Sequence, residues 1–162
     1  MAQFDDHIQQ ARKNLAFLSS INQTVPDCLD WQVTVAFYSA LHLVNAHLAR
    51  HGMSYRKHVD VKDALNPEKS LSVTKLPEDI YVSYITLQSL SRRARYLVEE
   101  KDSNLRSNQA FYIYDKHLSK AIKHLNKLIV HFSELYKLQF QKYPITCMGI
   151  KENEIDCFQI IS

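Results

Sequence analysis

Trp31-Gln32-Val33-Thr34-Val35-Ala36-Phe37-Tyr38-Ser39-Ala40-Leu41-His42-Leu43-Val44, wound as a helix, is apolar almost all the way round. A helix of that kind belongs inside a bundle. It also carries Tyr38, His42 and Asn45 at steps of four and three, which set these three residues on one stripe. Trp31 and Val35 continue the stripe toward the N-terminus. Polar groups drawn into a core need partners. His58, Gln88, Arg92 and Arg95, further along the chain, are the candidates. Such residues either stitch a helical core or form a site.

Outward from this stretch the chain reads as more helix. Its 162 residues fit one domain with a sizeable core. Two glycines and four prolines leave few tight turns, no glycine-rich phosphate loop and little room for many strands. Phe4, Ile8, Ala11, Leu15 and Leu18 mark a first helix over about 2–20. The second is capped by Asp27 or Asp30 and stops before Gly52. A short helix is expected over 59–65, and 66–75 reads as a loop. Pro77 then opens a helix whose seam is Ile80, Tyr84, Leu87, Ser91, Ala94 and Val98. Beside that seam runs a second stripe of Tyr81, Ile85, Gln88, Arg92 and Arg95. The segment 99–108 reads as a loop. Tyr114, Leu118, Ala121, Leu125, Leu128, Phe132 and Leu135 extend a last helix over 111–141, which Pro144 ends.

The expected fold is therefore all-α. It is an up-and-down bundle of four long helices plus one short one over 1–143. Residues 144–162 form a C-terminal tail, a small hairpin or an arm on a partner.

Composition narrows the function. No apolar run is long enough to span a bilayer, so no membrane association is expected. The first residues lack a basic region and an apolar core, so no secretion signal is expected. Three widely spaced cysteines, Cys28, Cys147 and Cys157, fit a reducing, cytoplasmic compartment. Without a secretion signal, Asn22-Gln23-Thr24 is not read as a glycosylation acceptor. The net charge of +3 conceals an excess of Lys and Arg over 91–142. A basic half can attract nucleic acid, although a solvated lysine face gives the same composition.

No metal site and no cofactor are expected. His117, His124 and His131 share one helix face, but a heptad climbs roughly 10 Å, too far for adjacent members to hold one ion. His47 and His51 read as exposed polar residues at a helix end. His42 is either a general base or ligand contact, or a core histidine satisfied by hydrogen bonds. Arg92 and Arg95 either pair with Asp60, Asp63 or Glu99, or form a guanidinium pair for phosphate. No Walker loop, zinc cluster, nucleophile elbow or dinucleotide fingerprint is present.

Phe37-Tyr38-Ser39-Ala40-Leu41-His42 on a helix opened by Asp30-Trp31, then His58, then Tyr84-x-x-Leu87 and Ser91-Arg92-x-Ala94-Arg95-Tyr96, resembles the HEPN superfamily of prokaryotic helical-bundle proteins. The resemblance covers about 30–97 and the general helix order. It implies a four- or five-helix bundle, often a homodimer. Many members are metal-independent endoribonucleases of toxin–antitoxin or antiviral systems; others serve in binding or assembly. Active members carry an arginine, a spacer of little more than one helical turn, and a histidine. The nearest match here, Arg50 to His58, has a longer spacer with Gly52 inside it.

The resemblance and the stripes together suggest a module that binds a nucleotide, RNA or a cognate protein partner. The alternative is a metal-independent ribonuclease with a rearranged site. In that case His58 or His42 serves as acid and base, and Arg92 or Arg95 steadies phosphate charge. The expected ligand-binding set is Tyr38, His42, His58, Tyr84, Gln88, Arg92 and Arg95, placed between the second helix and the helix after Pro77. His42 is expected level with Gln88.

Overall fold

A computed structural model describes residues 1–99 and 109–162. Within these the fold is all-α: α1 (Phe4–Thr24), α2 (Leu29–Arg50), the short α3 (His58–Leu65), α4 (Glu78–Tyr96) and α5 (Asp115–Tyr136). Two three-residue strands, β1 (Tyr143–Ile145) and β2 (Phe158–Ile160), follow, with a 3-10 turn between them at Glu152–Glu154. α2 is the central helix. It packs against α1 on one side and against α4 and α5 on the other, and α4 also packs on α5. Among the described residues, no helix is long and apolar enough to cross a membrane.

The seams follow the apolar spacing. Ile8, Ala11, Leu15 and Leu18 are buried on α1; Leu118, Ala121, Ile122, Leu125, Leu128, Ile129 and Phe132 are buried on α5. On α2 nearly every position from Gln32 to Leu48 is buried, apart from Tyr38, Leu41, His42 and Asn45. These four, with Trp31, form the outward side of the central helix. At the start of α1 the Asp6 carboxylate accepts the Gln3 backbone N–H at 2.8 Å. Acidic side chains favour that end of a helix dipole.

Several boundaries differ from those expected. α1 runs past residue 20 because Asn22 is buried and finds partners. α2 starts at Leu29, with Cys28 in the capping position in place of Asp27 or Asp30. α5 begins at Asp115, since Tyr114 is extended. It ends far short of Pro144: Lys137 adopts a left-handed conformation (φ 54°), and the Leu138 N–H bonds back to the Ser133 carbonyl at 3.0 Å. That closure terminates a helix without a proline. Pro144 lies instead within β1. On α4, Leu97 also turns left-handed (φ 55°) and carries Val98 off the seam into solvent. Most of the expected 99–108 loop, residues 100–108, lies outside the described residues.

The tail is not a hairpin. β1 and β2 are parallel, with Tyr143 opposite Phe158 and Ile145 opposite Ile160. Parallel neighbours need a crossover, which 146–157 supplies. Tyr143, Ile145, Ile150, Ile155 and Phe158 are buried in the same core as the helices. Asn22 of α1 grips Thr146, accepting its N–H and donating to its carbonyl, both at 2.8 Å. Asn126 of α5 accepts the N–H groups of Asp156 and Cys157 at 3.0 and 2.9 Å.

A candidate anion-binding groove between α3 and α4

Gln88, Arg92 and Arg95 repeat in steps of four and three along α4, and helical geometry sets them on one stripe. α3 lies alongside and contributes His58, Val59 and Lys62. With Tyr96 at the end of α4, these residues line a groove of about 660 Å³. That volume suits a small ligand or one nucleotide of a longer strand. Lys62, Arg92 and Arg95 supply positive charge. None of the described residues lining the groove is acidic.

Three of the acids near the groove are placed elsewhere. Asp63 lies 3.9 Å from Lys69, and Glu99 lies 3.4 Å from Arg93. Asp60 and Asp63 line a separate depression with Tyr55 and Glu68. Arg95 is steadied by its own helix, where its Nε donates to the Ser91 carbonyl at 3.3 Å. Its guanidinium stands 5.0 Å from the centre of the Tyr96 ring. His58 is exposed, yet partial desolvation of its ring against the protein pushes its pKa below the usual histidine value. The positive charge of Arg95 pushes it the same way. A neutral imidazole at pH 7 can both donate and accept a hydrogen bond.

Phe37 connects the groove to the core. It is fully buried on α2, and its ring lies 5.6 Å from that of His58 and 6.0 Å from that of Tyr84. α2 therefore positions the groove from behind and is not one of its walls.

The structure brings His58, Gln88, Arg92 and Arg95 together. The other three expected residues lie elsewhere. Tyr38 is on the outward side of α2, with its ring 5.6 Å from that of Phe37. His42 turns toward α1: its Nδ1 is 3.0 Å from that of His7, and it does not line the groove. Tyr84 is fully buried, and its hydroxyl has no hydrogen-bond partner among the described residues. Sequence reading passed over Val59, Lys62 and Tyr96. Lys62 did carry a signal, standing four residues after His58 on the same helix.

Two histidines are structural. His47 is not exposed at a helix end; it is buried. Its Nε2 donates to the Thr74 carbonyl at 3.0 Å, which leaves Nδ1 to accept the Tyr136 hydroxyl at 2.5 Å. Burial lowers its pKa to about 4. His124 meets Ser83 of α4 at 3.0 Å. Burial and then the charges of Lys127 and Lys120 lower its pKa to about 4. Among the described residues, no group of three or more His, Cys, Asp or Glu side chains is placed to hold a metal ion.

Comparison of the chain with protein-family models, with curated proteins and with solved structures finds no match.

Proposed function

We propose that this chain is a HEPN-like helical-bundle module that binds a phosphate-bearing ligand, a nucleotide or RNA, in the α3–α4 groove without cleaving it. The observation that carries this reading is the convergence of Lys62, Arg92 and Arg95 on one groove with His58 and Gln88. Guanidinium groups bind phosphate oxygens with directional, charge-assisted hydrogen bonds. The excess of Lys and Arg over 91–142 would add long-range attraction. Absence of the family's arginine–spacer–histidine element favours binding over hydrolysis. A cytoplasmic setting, a homodimeric state and a toxin–antitoxin or defence role belong to the same proposal. They rest on the resemblance and on the three free cysteines.

The test is fluorescence anisotropy with a labelled oligoribonucleotide in EDTA. Arg92→Glu combined with Arg95→Glu should weaken binding at least about tenfold and flatten its dependence on salt, with helicity by circular dichroism unchanged. Equal binding by this folded variant would sink the proposal. RNA cleavage in EDTA that disappears in His58→Ala would replace it with the ribonuclease reading.

A further inference from the structure

The groove has a second chemical character beside its charge. Tyr96 is the last residue of α4 and is 61% exposed. Its ring lines the same groove as Lys62, Arg92 and Arg95. It is also held in place. Leu97 closes the helix directly after it, with its N–H bonded to the Arg93 carbonyl at 2.8 Å. Arg95 stands over the ring at 5.0 Å, a cation–π contact that leaves most of the ring open. Val59, exposed on α3, adds an apolar element to the same groove. Gln88 presents an amide, which can both donate to and accept from a base edge. A site for a bare anion needs none of these three. A site for a nucleotide unit needs a flat apolar surface for the base and cations for its phosphate.

We infer that the groove takes an unpaired nucleic-acid strand, with a base stacked on Tyr96 and the adjoining phosphates held by Lys62, Arg92 and Arg95. This rests on the phosphate-binding reading above and goes beyond it, because it requires the base to be free of a duplex. A paired base keeps both faces inside its own stack and cannot lie on Tyr96. Arg95 serves twice, supporting the ring and facing the phosphate side. Because every base has a π face, the site would select for single-strandedness more than for sequence.

The probe is a labelled 12-nucleotide RNA of mixed sequence, alone, annealed to its complement, or made with abasic units at every position, with AMP as a competitor. The wild-type chain should bind the single strand most tightly. Tyr96→Ala should weaken that binding about tenfold, while Tyr96→Phe keeps it. The duplex and the abasic strand should bind weakly and respond to neither substitution. The inference falls if Tyr96→Ala binds the single strand like wild type, if the duplex binds as tightly as the single strand, or if AMP binds as tightly as the strand. In each case the phosphate-binding reading survives as long as the Arg92→Glu, Arg95→Glu variant still loses binding. If that double variant binds normally, or wild type binds no RNA, both fall. Tyr96 is exposed, so its variants should keep the wild-type circular dichroism spectrum.

Discussion

His7 on α1 and His42 on α2 face each other through their Nδ1 atoms, 3.0 Å apart, with ring centres separated by 5.3 Å. A single proton can lie between two such nitrogens, so at least one ring must be neutral. Burial lowers the pKa of both, and for His42 a charge on His7 lowers it further. Folded values below the unfolded value of about 6.5 mean that the contact stabilises the fold above that pH. The stabilisation fades as the pH drops below it. A double-mutant cycle of His7→Ala and His42→Ala should give a coupling of about 1 kcal/mol at pH 8 and clearly less at pH 5. Urea denaturation measures it, and a coupling that does not change with pH would contradict this account.

His47 should contribute, alongside His124, a large part of the acid sensitivity of the fold. Its pKa falls from 6.5 to about 4 in the fold, so the unfolded state binds the extra proton between those values. Stability is full above pH 6.5 and declines toward pH 4, by on the order of 3 kcal/mol from this residue. His47→Gln removes the titrating group. Its urea midpoint should be lower than wild type at pH 7, but should change less between pH 7 and pH 4.5.

The helices were legible in the sequence because burial on one side imposes a period, and Ile8 to Leu18 or Leu118 to Phe132 carry it plainly. Their ends were less so. α5 stops at a left-handed Lys137, and lysine has no special preference for that conformation. The groove was half legible. Gln88, Arg92 and Arg95 share a stripe that spacing alone reveals. Tyr38 and His42 share a stripe too, but periodicity says which residues lie together and not which neighbour they meet. The stripe on α2 faces solvent at Trp31 and Tyr38 and meets α1 at His42, and it does not line the groove. His47 went unrecognised because its partners, Thr74 and Tyr136, are far away in sequence.

Tyr84 is a core residue whose hydroxyl is buried without a hydrogen-bond partner among the described residues. Burial raises its pKa far above that of an ordinary tyrosine, so the group stays protonated. A buried unpaired hydroxyl costs free energy, and its removal leaves the ring packing intact. Tyr84→Phe should therefore be neutral or stabilising by up to about 1 kcal/mol in thermal or urea unfolding. It should leave RNA binding unchanged. A clear loss of stability would mean that the hydroxyl has a partner after all.

Asn22 should decide whether the C-terminal segment stays docked. The amide is buried on α1. Its Nδ2 donates to the Thr146 carbonyl and to Gln32 Oε1, both at 2.8 Å, and its Oδ1 accepts the Thr146 N–H at 2.8 Å. It thus satisfies both backbone groups of Thr146, as a neighbouring strand would. Ser19, three residues earlier, adds a bond from its hydroxyl to the Pro144 carbonyl at 2.6 Å. Asn22→Ala takes these partners from the Thr146 N–H and carbonyl and orphans the buried Gln32 amide oxygen, at a cost of about 2 kcal/mol. Asn22→Asp keeps the shape and the acceptor but loses both donated bonds and buries a charge, so it should not rescue. The local consequence is measurable at Cys147, one residue past the grip. Burial shields this thiol and raises its pKa to about 11, so it should react slowly with a thiol reagent in the wild-type chain. In Asn22→Ala it should react much faster, under conditions where circular dichroism still reports a folded bundle. An unchanged rate at Cys147 would mean that the strand pair and the Asn126 bonds hold the tail without Asn22.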